Sequence, residues 1–196
     1  MTNLLKKFVS GDRFGQTRRC LFSVYNFFGL NLLSLRGRRN KICFNESIVG
    51  KCKVKIAGNN NSVVFGKGSA VRNVEIYITG NNSLINLGDY CLVKSGSWWV
   101  EGSNCKITIG DRTTIESAHI ACTEDTSEIS IGDGCMFASD IDIRTGDSHS
   151  IINLADSKRI NTARNVEIKD HVWIAAHVVI LKGVTCLLYT SPSPRD

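Results

Sequence analysis

His149 is the side chain whose surroundings best suit it to chemistry. It stands in Ile143-Arg-Thr-Gly-Asp-Ser-His149, a polar run that continues through Asn165 to Ile168-Lys-Asp-His-Val-Trp173. An imidazole titrates near ambient pH, so a histidine held in a polar loop can take a proton from a hydroxyl and return it. Asp147, two residues earlier, is a carboxylate that could orient the ring. Asp140, Asp142 and Arg144 break the apolar pattern just before the loop, where they could bind hydroxyl groups of a ligand or merely solvate an outward face. A lone histidine in a polar loop is most often a solvated side chain. His149 rises above that base rate because a regular repeat opens into a long excursion at this point, and loops on rigid scaffolds concentrate function. His119, in Ser117-Ala-His-Ile120, is expected to be structural. His171 and His177 stand six residues apart at matching positions on adjacent faces.

Such a loop needs a scaffold, and the chain builds one by repetition. Phe65-Gly66-Lys-Gly-Ser-Ala-Val71 returns as Leu87-Gly88-Asp-Tyr-Cys-Leu-Val93, as Ile109-Gly110-Asp-Arg-Thr-Thr-Ile115 and as Ile131-Gly132-Asp-Gly-Cys-Met-Phe137, with the glycines 22 residues apart. Cys43-Phe-Asn-Glu-Ser-Ile-Val49 is a degenerate earlier copy. Within each copy an aliphatic or aromatic residue recurs after six positions, and a small one (Ser69, Cys91, Thr113, Cys135) falls four positions after the first. A period of six suits neither helix nor hairpin. It suits short strands, each followed by a turn, wound into a prism whose axis the apolar residues fill and whose crowded corners take the small ones. Three strands account for 18 residues of each 22, and the other four are Gly58-Asn-Asn-Asn61, Gly80-Asn-Asn-Ser83 and Gly102-Ser-Asn-Cys105. Gly and Asn tolerate the left-handed backbone that tight corners demand, and these runs are expected to form a solvated ladder. After the loop, Ile168–Trp173, Ile174–Val179 and Ile180–Thr185 make one lean coil without an insert. The solenoid is therefore placed at 42–185, with the loop at 147–165. Trp98 and Trp99 are expected to pack against or cover an earlier coil.

This phased period, over residues 43–185, resembles the hexapeptide-repeat acyltransferases, whose domain is a left-handed parallel β-helix. A leucine-rich repeat has a period in the same range, but its Leu-x-x-Leu-x-Leu-x-x-Asn pattern is missing. Asp147-Ser-His149, a polar loop and then Val172-Trp173-Ile174 are similar to the sugar and capsular-polysaccharide O-acetyltransferases of this fold. The resemblance implies an all-β solenoid, a homotrimer with active sites between subunits, and acetyl-CoA as co-substrate. It implies acetyl transfer to a hydroxyl of a cell-surface sugar or polysaccharide precursor, with no covalent enzyme intermediate and with His149 as general base. It makes Trp173 a surface aromatic that stacks on a sugar ring or the acyl chain, and leaves Asp140, Asp142 and Arg144 as candidates for the acceptor hydroxyls. Acetyl-CoA is expected along the groove between prisms, against the small residues Ala175 and Ala176, with Lys182 as a further cofactor-binding residue. Ala175 departs from the glycine usual at that position. A zinc site like that of the γ-type carbonic anhydrases needs three converging histidines, and the spacing of the four present does not resemble that pattern. No metal is expected. The rival readings are N-acetylation of an amino sugar, a serine O-acetyltransferase, and a non-catalytic solenoid scaffold.

Charge and cysteine usage bound the rest. Residues 1–41 hold nine Lys/Arg against the single acid Asp12, while the remainder holds 15 basic and 17 acidic residues, so the net +6 belongs to the N-terminal segment. No nucleic-acid partner is expected, and the glycines serve turns rather than a P-loop or dinucleotide fingerprint. The apolar run Leu21–Leu35 is 15 residues long and interrupted by Ser23, Asn26, Asn31 and Ser34, short of the roughly 20 residues a spanning helix needs. Residues 1–41 are expected to form a basic, apolar helical cap on the open end of the solenoid, with peripheral contact to an anionic membrane as a further possibility. Eight cysteines without a compact spacing framework are read as reduced residues of a cytoplasmic protein. At Cys186 the repeat is expected to stop. The tail 186–196 holds both prolines and resembles adapter-derived read-through, so it is expected to be foreign, with further coils in the intact protein.

Overall fold

The computed structural model describes residues 31–187. They form a parallel β-solenoid of about seven turns, three strands to a turn, and among the described residues there is no helix. Face A is built from β1 (Leu32–Arg36), β4 (Lys53–Ala57), β7 (Val74–Thr79), β10 (Gly96–Glu101), β13 (Ala118–Thr123), β16 (Ile141–Arg144) and β19 (Val179–Ile180). Face B follows with β2 (Lys41–Cys43), β5 (Ser62–Phe65), β8 (Leu84–Leu87), β11 (Lys106–Ile109), β14 (Glu128–Ile131), β17 (Val166–Ile168) and β20 (Thr185–Cys186). Face C closes each turn with β3 (Ile48–Gly50), β6 (Ala70–Arg72), β9 (Leu92–Val93), β12 (Thr114–Ile115), β15 (Met136–Phe137) and β18 (Trp173–Ile174).

Alternation along each strand sends every second residue to the axis. The parallel register then stacks those residues in columns: Val54, Ile76, Trp98, Ile120, Ile143 and Ile180 on face A, and Phe65, Leu87, Ile109, Ile131 and Ile168 on face B. All are buried. Each side chain so buried is worth about 1.5–3 kcal/mol, which is why a six-residue apolar phase is enough to specify the prism. Of the two roles expected for Trp98 and Trp99, Trp98 takes packing: it is fully buried in the face A column, and its indole Nε1 has no hydrogen-bond partner. Gly96, two residues earlier, answers to the next coil's backbone: a Cβ there would lie 2.5 Å from the Ala118 carbonyl oxygen.

The corners are held by ladders that repeat with the coil. Between faces B and C, Asp89, Asp111, Asp133 and Asp170 each accept the N–H of the residue one coil earlier (Lys67, Asp89, Asp111 and Asp133) at 2.7–2.8 Å. The small corner residues donate forward to the next coil's carbonyl: Ser69 Oγ to Gly88 at 2.8 Å, Cys91 Sγ to Gly110 at 3.1 Å, Thr113 Oγ1 to Gly132 at 3.0 Å and Cys135 Sγ to Lys169 at 3.1 Å. Thiol and hydroxyl do the same work there. Between faces A and B, the Asn59 N–H donates to Asn81 Oδ1, the Asn81 N–H to Ser103 Oγ and the Ser103 N–H to Asp125 Oδ1, the expected solvated ladder. Asn60, Asn82 and Asn104 sit at φ of 57–60°, where asparagine is tolerated best after glycine.

Two boundaries move. The helical cap predicted for residues 1–41 lies largely outside the described residues, but its end is strand: β1 pairs with β4 from Leu32↔Lys53 to Arg36↔Ala57. Leu33 and Leu35 fall in register with the inward Val54 and Ile56, so the solenoid starts before residue 42. Gly37-Arg-Arg-Asn40 is an A–B corner disguised by two arginines, and its Asn40 Oδ1 accepts the Asn61 N–H at 3.0 Å. At the other end Cys186 still belongs to β20, opposite Ile168, half-buried against the core. It takes the inward position six residues after Ile180.

Candidate functional site

The sixth A–B corner is not a four-residue turn. Thr145, fully buried, starts the excursion: its Oγ1 accepts the Thr123 N–H at 2.8 Å and donates to the Thr123 carbonyl at 3.1 Å. The neck is closed by the Arg164 N–H on the Thr145 carbonyl at 2.9 Å, and Asn165 Oδ1 rejoins the ladder by accepting the Glu128 N–H at 2.9 Å. Between them the chain doubles back on itself through the antiparallel bridge Ile152↔Arg159.

Asn161, 8% exposed, is the hub of this loop. Its Nδ2 donates to Asp147 Oδ2 at 2.9 Å and to the His149 carbonyl at 2.6 Å. Its Oδ1 accepts from the Ile151 N–H at 2.7 Å and from Arg159 Nε at 3.2 Å, and its own carbonyl accepts from Lys182 Nζ at 3.0 Å. Arg159 and the Ala163 N–H both reach Glu124 on the preceding coil. Burial pushes the Glu124 carboxyl up, but these two donors outweigh it and hold it below its ordinary range. Lys182 and then Asn161 likewise hold Asp147 below the usual carboxylate range.

His149 therefore stands exposed at a backbone position that is fixed, and among the described residues its ring makes no hydrogen bond. Asp147 does not orient that ring. Its Oδ2 is taken by Lys182 and Asn161, and Asn161 also holds the His149 carbonyl. Lys182 is drawn into the same network, with its ammonium on Asp147 and the Asn161 carbonyl, rather than extended toward a cofactor. Neither Asn161 nor Glu124 was singled out from sequence, because the contacts that place them reach as far as 39 residues along the chain and follow no period.

The other candidates gather around the C–A edge. Trp173 lies on β18, 71% exposed, while its neighbours Val172 and Ile174 point inward. Across face C it stands in register with Met136, and Met136 with Thr114 and Leu92, an outward row in which Leu92, Met136 and Trp173 are all exposed. Ala175 and Ala176 form the exposed corner between β18 and β19, followed by His177, whose Nδ1 lies 3.1 Å from Asp140 Oδ2. Asp142 and Arg144 point outward from β16 as an ion pair, with Arg144 Nε 2.8 and 3.0 Å from the two carboxylate oxygens and Nη2 at 2.8 Å. With Asp140, Ser97, Ser117 and His119 they line a cavity of about 450 Å³ on face A. The structure thus gathers Asp140, Asp142 and Arg144 in one cavity and Asp147 with Lys182 in another network. It leaves His149 at the A–B edge and Trp173 on face C, which does not adjoin that edge.

No family model matches the chain. Over 49 residues it is 41% identical to a polysialic acid O-acetyltransferase of Escherichia coli O1:K1 / APEC and 45% identical to one of Neisseria meningitidis. That segment is 25% of this chain but spans only 16% and 23% of those relatives. In three dimensions the chain is similar to the crystal structure of the polySia-specific acetyltransferase NeuO (TM-score 0.71, 29% identity, covering 79% of this chain and 71% of that one). It is similar to the polysialic acid O-acetyltransferase OatWY to the same degree (TM-score 0.70, 29% identity, 76% and 71% covered). The chain is a left-handed β-helix of hexapeptide repeats, similar in fold, and over those 49 residues in sequence, to polysialic acid O-acetyltransferases.

Proposed function

We propose that the chain is an O-acetyltransferase that moves acetyl from acetyl-CoA to a hydroxyl of a cell-surface polysaccharide or its precursor. The observation that carries this reading is the anchored loop: Asn161, Asp147 and Lys182 fix the His149 backbone while its imidazole stays exposed and unbonded. The neutral imidazole takes the acceptor proton as the sugar oxygen attacks the thioester carbonyl, and the coenzyme leaves as the thiolate. A positioned base of this kind contributes about 10²–10⁴-fold.

The site is completed between copies in this reading. His149 belongs to the A–B edge, whereas Trp173, Ala175 and Ala176 belong to face C and the C–A edge, so one protomer does not bring them together. Two exposed apolar surfaces support self-association: Ile151, Ile152, Leu154 and Ile160 on the loop, and the row of Leu92, Met136 and Trp173 on face C. Loop against face C around a closed ring gives the homotrimer. In it Trp173 covers the acyl group or a sugar ring, and the small Ala175 and Ala176 allow the coenzyme's close approach. We place the reaction in the cytoplasm, with the basic N-terminal residues against the inner membrane face. No helix among the described residues is long and apolar enough to cross a membrane.

The test is thiol release from acetyl-CoA with a panel of acceptors: polysialic acid, neutral capsular polysaccharides, glucosamine and serine. Release that depends on a polysaccharide, with an alkali-labile acetyl ester on the product, is the expected result. Release only with glucosamine or serine, or with no acceptor at all, contradicts it.

A further inference from the structure

The coil register aligns two rows of side chains on the outside of face A. One runs Glu75, Ser97, His119, Asp142, and the other runs Tyr77, Trp99, Ala121, Arg144. In the first row Ser97 Oγ lies 2.6 Å from His119 Nδ1. In the second, Trp99 is 39% exposed and meets Tyr77 at a centroid distance of 5.6 Å and the His119 ring edge-on at 5.9 Å. Ala121 separates Trp99 from Arg144 in this row. The cavity lies beside the first row, toward the C–A edge, where one extra residue at Ser139–Asp140 brings Asp140 to its rim, and Trp99 adjoins it through the ring of His119.

Hydroxyls, an imidazole, two carboxylates and a guanidinium around a volume of about 450 Å³ offer both donors and acceptors at the scale of one sugar ring. An indole face beside them is the surface on which the apolar side of a pyranose packs. The charge of this lining selects further. Asp140 and Asp142 stand against a single guanidinium already committed to Asp142, and burial, partly opposed by Asp142, lowers the pKa of His119 and so disfavours its charged form. A carboxylated sugar would meet like charge with no free Lys or Arg among the described lining residues to offset it, whereas vicinal hydroxyls can donate to both carboxylates.

We propose that the face A cavity, with Trp99 at its margin, is an acceptor subsite for an uncharged pyranose. This rests on the acetyltransferase reading for the word acceptor, though not for the binding itself. It sets the chain apart from relatives named for an anionic polymer. His119 and Ser97, in this assignment, form a hydrogen-bonding wall for the sugar rather than a structural filler.

The experiment is calorimetric titration of the whole chain with uncharged tetrasaccharides of glucose, galactose and N-acetylglucosamine, and with α2,8-linked tetrasialic acid. At least one uncharged probe should bind, at least tenfold more tightly than tetrasialic acid, and Trp99→Ala and Asp142→Asn should each weaken it at least tenfold. Tighter binding of tetrasialic acid, binding of none of the uncharged probes, or binding insensitive to both substitutions overturns the subsite. Melting curves of the two variants, both at solvent-facing positions, report on folding separately. Acetyl transfer distinguishes the two readings. If transfer occurs and the acceptor KM of both variants stays at the wild-type value, the subsite is wrong and the enzyme reading stands. If no acceptor is acetylated while the uncharged sugar binds through Trp99, the enzyme reading fails and the subsite stands. Both hold when KM rises at least tenfold, by more than kcat falls.

Discussion

At Gly58–Asn61, Gly80–Ser83 and Gly102–Cys105 the chain passes from face A to face B in four residues, while between β16 and β17 the same passage takes residues 145–165. The short corners are satisfied by their neighbours one coil away, rung on rung. The long one is satisfied by contacts that obey no period: Arg159 and Ala163 on Glu124, Asn161 on Asp147 and His149, Lys182 on Asp147. The solenoid tolerates the change because its sheets resume in register beyond it, with Ile131 opposite Ile168. A repeating fold can thus suspend its repeat at one corner without losing its core, and a reactive side chain can be mounted there.

If this division is real, damage to the regular region should cost stability and damage to the loop should cost activity. Trp98→Ala, which empties the face A column, should lower unfolding free energy by about 3–5 kcal/mol in a denaturant titration, and a loss under 1 kcal/mol would show that the column is not where stability resides. Gly110→Ala places a Cβ 2.3 Å from Asp133 Oδ1 and 2.5 Å from the Gly132 carbonyl carbon. It should destabilise by about 1–3 kcal/mol, with the melting temperature as readout. Asn161→Ala leaves the global midpoint close to wild type but strips partners from Asp147 and the His149 carbonyl. Faster amide exchange at Ile151 and a turnover reduced by about tenfold to a hundredfold are expected from the misplaced base. The smallest effect is that of acid. Glu124 and Asp147 both have lowered folded-state pKa values. Their anchoring is complete above the ordinary carboxylate range and is lost as pH falls through those lowered values. Proteolysis within 150–160 should accelerate in that acid window while the β-sheet circular dichroism signal persists.

Much of the scaffold was legible because its cause is periodic. An inward apolar residue every sixth position and a glycine every 22nd are visible in Phe65–Val71 and its copies without coordinates. The first turn escaped because Arg38 and Arg39 replace the asparagines of its corner, and the end of the last strand because Cys186 takes an inward position usually aliphatic. The interruption that holds His149 was legible as a break in the period, and Trp173 as part of the coil that resumes after it. The role of Asp147 was not: two residues of sequence separation suggested a partner for the imidazole, and only the fold shows Lys182 in that place. The Ser97–His119 pair is a different case. Its spacing of 22 was present in the sequence all along, but reading it required applying the core's register to the outward residues as well.

One substitution, at His149, tests the proposed proton transfer most directly. His149→Ala should leave the unfolding midpoint at the wild-type value and reduce polysaccharide-dependent thiol release from acetyl-CoA by about 10²–10⁴-fold. Turnover within about threefold of wild type, in a variant that melts normally, would mean that the proton acceptor lies elsewhere.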